Sequence, residues 1–431
     1  MNLRKTAFNV LSSLRHGSVP AHIETLKRAE EDADFYRRTK VSSIEQLRRD
    51  LAKVPFYMRY HNASFPYDYP VMTKSFIQEH MSDFVNPSYA RKDLVTVTTS
   101  GSYGSPTSFY ITKDKKDWQH AEVIHFGMPV GYDVGVEHMY IRSVVSKGRL
   151  TQLLQNEHYL GCKYMDDAFL RHALQILLEK KTKVIIGFPS AIAAIADFCL
   201  SNNYKPADFA VEGVITSSEN LTTTQRYVMK QAWACNICSR YSTEEFGVIA
   251  NQYEAEGPFQ INSLNYIVEI MDLDKDQPVE PGNIGRVVVT DLHSNAMPLV
   301  RYDTGDIALL QEYNNDNLGY LRSFHALSGR GIQIITTPNN EKRFPMFFDS
   351  IMENYPEVSQ YQFIQETHCD YTCVVVAKTV MEQARCEMLL SDLNDWIGKG
   401  ANIKIIQADE IERLGSGKRP YVINRTLKGW S

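Results

Sequence analysis

Residues 94–112 read LVTVTTSGSYGSPTSFYIT. Val95, Thr96, Val97 and Thr98 form a β-branched run, and SFYIT at the other end is again rich in strand-forming residues. Between them Gly101, Gly104 and Pro106 sit among serines and threonines, the composition of a turn. A strand, a turn and a second strand are therefore expected. Glycines let the backbone come close to an anion, and successive N–H groups with the hydroxyls of Ser100 and Ser102 suit phosphate oxygens. The same residues equally suit a plain Gly-Ser hairpin turn, and alone they leave both readings open. The ordinary P-loop is excluded, because no Lys precedes a Ser or Thr at its spacing and a strand, not a helix, follows.

Upstream, roughly the first ninety residues are charged and carry apolar positions at helical spacing, as in IEQLRRDL and TKSFIQEHM. The opening MNLRKTAFNVLSSLR reads as a first helix, since it lacks the apolar core and cleavage site of a secretory signal. Downstream, helical stretches such as DWQHAEVIHFG and DDAFLRHALQILLEK alternate with short apolar strands such as VIIGF and GVITSS. That rhythm predicts an α/β sheet up to about residue 270. Residues 280–325 read as β-rich, with a turn at Pro281 and Gly282. The segment from Ser328 to Gly331 is a candidate boundary. Beyond it a helix, two strands, a helix and a strand predict a compact α+β unit of ordinary domain size.

Composition bounds the function. The 431 residues, 43% apolar and 23% charged, are those of a globular chain large enough for two or three folding units. With 46 basic and 51 acidic residues the formal charge is -5, which offers no broad cationic face for a nucleic acid. The longest apolar stretch, residues 184–200, is interrupted by Pro189, Ser190 and Asp197, so no membrane span is expected. Seven scattered cysteines point to reduced thiols and a cytoplasmic location, and the lone Cys235/Cys238 pair reads as ordinary core.

Three further motifs carry candidate chemistry. In Arg301-Tyr302-Asp303-Thr304-Gly305-Asp306 a carboxylate on a Thr-Gly turn suits two ribose hydroxyls, or else caps a strand as an Asx turn. Tyr241-Ser242-Thr243-Glu244-Glu245-Phe246-Gly247 sets two carboxylates after an aromatic ring. Such a pair could hold a hard cation such as magnesium, or be a solvated acidic turn. Gly415-Ser416-Gly417-Lys418 could bring a point charge to an oxygen from a flexible loop, or be a solvated surface lysine.

Together and in this order the motifs resemble the adenylate-forming superfamily of acyl-CoA synthetases, luciferases and peptide-synthetase adenylation domains. TTSGSYGSP is similar to the phosphate loop, YSTEEFG to the YGxTE motif, RYDTGD to the ribose motif, SGR to the hinge and GSGK to the terminal lysine motif. PVMTKSFIQEH, GFPS at residues 187–190 and the RYDTGD form narrow the resemblance to the phenylacetate-CoA ligase and CapK branch, from about Pro55 onward. The resemblance implies an α/β fold with a large N-terminal adenylate-forming domain, residues 1–330, and a small mobile C-terminal α+β lid, residues 331–431. It implies that Ser100, Gly101, Ser102 and Gly104 embrace the ATP phosphates, and that Ser218 and Glu219 border adenine. Tyr241 with Ser242 would pack on the adenine, Glu245 would hold magnesium, Asp306 would bind the ribose, Arg330 would contact the nucleotide and Lys418 would be the catalytic lysine.

ATP, magnesium and coenzyme A are the implied cofactors, the substrate a small carboxylic acid, and a homodimer fits the branch. Four departures stand out: Tyr103 in the phosphate loop, Ser242 after the tyrosine, Glu244 in place of Thr, and no carboxylate after Gly331. ANQYEAEGPFQIN lacks the Cys and His of relatives with a zinc pair, so no structural zinc is expected. Three functions stay open: acyl transfer to coenzyme A, transfer to an amine in surface polysaccharide synthesis, and nucleotide binding without catalysis.

Overall fold

The computed structural model describes all residues except 1–3, 9–16, 61, 99–106, 143–146, 163, 329–333, 378, 413–418 and 427–431. Residues 4–8 of the opening segment are helical; the rest of that expected helix lies outside the described residues. The helices Val19–Glu31, Ala33–Leu51, Lys74–Glu79 and Met81–Phe84 make the described part of the first ninety residues helix-rich, as expected. β1 (Val95–Thr98) and β2 (Ser108–Ile111) pair antiparallel, with Thr98 opposite Ser108. The turn between them is among the residues not described.

The next strands are β3 (His138–Arg142), β4 (Glu157–Gly161), β5 (Val184–Gly187), β6 (Gly213–Ser217), β7 (Asn236–Thr243), β8 (Gly247–Gln252) and β9 (Phe259–Ile261). They are followed by β10 (Tyr266–Met271), β11 (Asn283–Asp291), β12 (Tyr302–Leu310) and β13 (Ser323–Ser328). All eleven join in one ladder, in the order β10-β11-β12-β13-β9-β8-β7-β6-β5-β3-β4. From β4 to β7 the pairing is parallel, and from β7 to β10 antiparallel. Every residue of β5 and β6 is buried, which is why these strands read as short continuous apolar runs. Helices cover them and begin at sharp chemical signals: Asp166 accepts from the Phe169 N–H, Pro189 opens the helix Pro189–Ser201, and Thr222 and Gln225 form a capping box.

The last ninety or so described residues have their own sheet and core. After the short hairpin β14 (Ile335–Thr336) and β15 (Lys342–Arg343) come β16 (Val358–Gln365), β17 (Asp370–Ala377), β18 (Asn402–Gln407) and β19 (Val422–Asn424), in the order β18-β17-β16-β19. The helices Pro345–Met352 and Gln383–Ile397 pack on this sheet through Phe348, Leu389 and Leu393, against Phe363, Tyr371 and Val422. The expected helix, two strands, helix and strand appear in that order, and the hairpin β14–β15 and the strand β19 are additions to it. No helix among the described residues is long and apolar enough to cross a membrane.

Candidate active site

The parallel strands β5, β6 and β7 end on the same side of the ladder, and the loops that leave such carboxyl ends are where α/β sheets collect ligands. GFPS leaves β5, Ser218-Glu219 leaves β6, and the acidic motif leaves β7. Ser218 turns the chain in the left-handed region, at φ 70°, which a non-glycine residue adopts only when its surroundings hold it there.

β12 delivers the ribose motif to the end of β7. The Tyr241 hydroxyl donates to Asp306 Oδ2 at 2.8 Å and lies 3.2 Å from Thr304 Oγ1. Thr304 donates onward to the Val287 carbonyl at 2.9 Å and accepts from the Asp306 N–H at 3.1 Å. Gly305 makes the turn at φ 77° while Asp303 accepts from its N–H and pairs with Arg286 at 2.7 Å. Burial, and then the Asp306 charge, push the Tyr241 phenol well above its ordinary pKa, so it remains a donor to the carboxylate. Its ring lies edge-on to Phe324.

Arg301 anchors this motif from below. Its guanidinium holds Glu269 bidentately, 3.0 Å at both bonds, and also donates to the carbonyls of Tyr67 and Tyr69. The Met72 N–H donates to the Arg301 carbonyl and the Asp303 N–H to the Met72 carbonyl, each at 2.9 Å. PVMTKSF is thereby tied to RYDTGD, and Lys74 comes within electrostatic reach of Glu245.

Glu245 is buried, 6% exposed. Burial raises its pKa; hydrogen bonds from its own N–H and from Thr243, and the Lys74 charge, pull the other way, while Asp306 adds to the rise. The acidic turn rests on the helix Lys113–His125. Gln119 donates to the Glu244 carbonyl at 3.0 Å, and Glu122 accepts from the Val248 N–H at 2.9 Å and from Asn265 at 2.7 Å. Lys115 pairs with Asp291 at 2.7 Å, fully buried. Gly247, at φ 111°, lies so close to Glu122 that a side chain there would collide with it. Glu244 is exposed and acts electrostatically on Arg142, whose guanidinium donates to the Tyr140 hydroxyl at 2.6 Å.

The β6 turn faces the C-terminal unit. Glu219 accepts from the Ser190 N–H at 3.2 Å and from the Arg419 N–H at 2.8 Å. Asn220 donates to the Leu327 carbonyl at 3.0 Å and to the Tyr421 hydroxyl at 3.1 Å. Next to them Tyr361 donates to Asp349, and the Thr223 N–H reaches the same carboxyl, whose pKa burial pushes up to about 6.

Of the expected site residues, Tyr241, Ser242, Glu245 and Asp306 share one corner, and Ser218 and Glu219 occupy the neighbouring turn. Ser100, Gly101, Ser102, Gly104, Arg330 and Lys418 lie outside the described residues. Lys74 and Arg142 were not singled out from the sequence, because their significance lies in facing Glu245 and Glu244 across the fold. Phe188 is core, 4% exposed, and Phe126, Tyr132 and Tyr140 pack against apolar clusters. Cys235 and Cys238 are both buried, and burial pushes their thiols up to about 12 and about 11. No group of three or more His, Cys, Asp or Glu that could hold a metal occurs among the described residues. Magnesium does not need one, since it binds through one or two carboxylates and substrate phosphates, and the buried carboxylate of Glu245 fits that use.

The fold is that of the adenylate-forming ligases. 2-Hydroxyisobutyryl-CoA ligase in its postadenylation state with 2-HIB-AMP matches with a TM-score of 0.71 over 92% of this chain and 90% of its own, at 17% identity. The same ligase in its thioesterification state, with 2-HIB-AMP and CoA, matches with 0.54. Protein CapK of Staphylococcus aureus is 20% identical over 376 residues, 82% of this chain and 79% of its own. Phenylacetate-coenzyme A ligase of Aromatoleum evansii is 22% identical over 352 residues, 77% and 78%. Residues 335–425 match the CapK C-terminal domain, a span that coincides with β14 to β19. The chain thus shares the fold of the adenylate-forming ligases and is similar in sequence to CapK and to phenylacetate-CoA ligase.

Proposed function

We propose that this chain is an AMP-forming ligase that joins a carboxylic acid to ATP as an acyl-adenylate, with release of pyrophosphate, and passes the acyl group to coenzyme A. The observation that carries the reading is the Tyr241–Asp306 hydrogen bond at 2.8 Å, with the buried Glu245 close by: two motifs far apart in the chain meet at the carboxyl end of the parallel strands. In this reading Asp306, held by Tyr241 and the Thr304 turn, receives the ribose hydroxyls. Ser218 and Glu219 border the base, with Tyr241 and Ser242 against it. Ser100, Gly101, Ser102 and Gly104 receive the phosphates, and Arg330 contacts the nucleotide near the division between units 1–330 and 331–431. Glu245 would hold magnesium, which when bound neutralises phosphate charge.

The acid's carboxylate attacks the α-phosphorus, the bond to the pyrophosphate oxygen breaks, and Lys418 stabilises the charge that gathers between the two groups. Such transfer needs positioning and charge neutralisation, and no protein nucleophile. In the second step the thiol sulfur attacks the acyl carbon and AMP leaves. The CapK match over residues 335–425 favours a second reading for that step only, an amine acceptor of the kind used in surface polysaccharide synthesis.

A pyrophosphate-release screen over aryl, short aliphatic and amino acids, with products weighed by mass spectrometry with and without coenzyme A, tests both. Release with at least one acid is expected, and silence with all of them sinks the ligase reading. Lys418→Ala is expected to lower ATP–pyrophosphate exchange by about a hundredfold or more, the usual weight of a preorganised charge at the reacting oxygen, with ATP binding retained.

A further inference from the structure

Arg142 is the last residue of β3, and β3 runs parallel to β5, β6 and β7, so it stands at the same carboxyl ends as GFPS and the acidic motif. The ends of β3 and β5 are pressed together: a Cβ at Gly187 would fall 2.7 Å from the Ile141 carbonyl oxygen. Tyr140 and Arg142 share one face of the sheet by the alternation of a strand. Nε and Nη2 of the guanidinium both donate to the Tyr140 hydroxyl, at 3.0 and 2.6 Å, and the Nη1 amino group has no acceptor among the described residues. No carboxylate among the described residues stands at ion-pair distance from Arg142, and the exposed Glu244 acts on it from further away. Lys147, 5.6 Å from the centre of the Tyr140 ring, is already paired with Glu157 at 2.7 Å. A phenol that accepts two N–H groups still has a hydrogen to give. A half-buried guanidinium without a close counter-ion is costly, and its fork, with a phenol beside it, matches a carboxylate.

On the ligase reading of this site, we propose that Arg142, with the Tyr140 hydroxyl, determines specificity by receiving a second anionic group at the far end of the acid. The substrate is then a short dicarboxylic acid. Its reacting carboxylate meets ATP at the corner of β7 and β12, where Glu245 and Asp306 stand. β3 lies three strand steps from β7, in the order β7-β6-β5-β3, which is roughly 14 Å at about 4.8 Å per step. An arginine side chain and an acid of a few carbons fill that span together. An aryl or alkyl tail would take water from the guanidinium and give it nothing in return, whereas a carboxylate accepts from it and from the phenol.

The test is pyrophosphate release by the full chain with ATP and coenzyme A, comparing glutarate with pentanoate and adipate with hexanoate. Wild type should favour each dicarboxylate over the equally long monocarboxylate by about tenfold or more in kcat/KM, the weight of one charge-assisted bond. Arg142→Met, which keeps the length and loses the charge, should bring that ratio to about one, and Arg142→Lys should keep part of it. A mere loss of folding lowers both rates together and leaves the ratio alone. A wild-type ratio near one overturns the proposal, as does the wild-type ratio persisting in Arg142→Met. A raised KM for ATP with the ratio unaltered assigns the guanidinium to the phosphates and overturns it equally. If wild type releases no pyrophosphate with any acid of the wider screen, the ligase reading is what has failed. Calorimetry of glutarate then decides the anion site: binding about tenfold weaker in Arg142→Met upholds it, and equal or absent binding in both proteins sinks it.

Discussion

The corner that joins β7 to β12 and the joint that seats the C-terminal unit are built in opposite ways. At the corner, Tyr241, Asp306, Thr304 and Arg301 are locked by strand register and by buried, charge-assisted bonds to Glu269 and to carbonyls. Across the joint run polar bonds, from the Arg419 N–H to Glu219, from Asn220 to the Tyr421 hydroxyl, from the Thr223 N–H to Asp349 and between Lys342 and Asp274, while the apolar core of each unit closes on itself. A buried network is costly to take apart because each group it strands loses its hydrogen bonds and finds no water. A joint made of a few half-exposed polar bonds can open and let water replace each partner. Under the proposed function, the first region would hold the nucleotide in a fixed place while the second changes its neighbours.

The sharpest way to break the contrast is Arg301→Leu. It leaves Glu269, 8% exposed, without its cation, and should cost about 3–5 kcal/mol in chemical denaturation of the whole N-terminal ladder. A loss below about 1 kcal/mol would mean that the corner is no more rigid than the joint. Tyr241→Phe is gentler. It removes the donor to Asp306 and should weaken ATP binding, read by calorimetry, by roughly tenfold, as expected for one hydrogen bond to a charged group, and leave the C-terminal unit's amide exchange untouched. Unaltered binding would separate the phenol from the ribose carboxylate.

The smallest effect belongs to pH at the joint. Burial raises the Asp349 carboxyl from the ordinary carboxylate range to about 6, with Glu353 adding to the rise and bonds from Tyr361 and Thr223 opposing it. A raised folded-state value means that the contribution to seating is complete below the ordinary pKa and is lost as pH climbs through about 6. Amide exchange over the helix Pro345–Met352 should accordingly quicken between about pH 5 and about pH 7.5, after correction for intrinsic rates, and Asp349→Asn should flatten that change. A slowing with rising pH would reverse the sign and exclude the carboxyl as the cause.

Most elements could be located along the chain by local rules. Thr112, Asp166 and Thr222 cap the helices that follow them, β5 and β6 are the apolar runs bounded by polar turns, and the five elements expected in the C-terminal unit appear in order, without the short strands β14, β15 and β19. These signals act over one or two turns of chain, where backbone propensity and capping decide. The candidate residues Tyr241, Ser242, Glu245 and Asp306 could be found the same way, because motif spacing is local too.

What no stretch of sequence contained is the pairing across distance. Glu219, expected beside adenine, also accepts from Arg419; Tyr241, expected as a stacking ring, also serves as the hydrogen-bond donor that orients Asp306; Lys74 opposes Glu245 only because Met72 pairs with Arg301 and Asp303. The sequence by itself determined the residue types, the elements and their order, since these follow from interactions between near neighbours. The tertiary structure alone decided which carboxylate meets which donor, because that depends on strand register and on a joint between two separate cores, and both are settled by packing over the whole molecule.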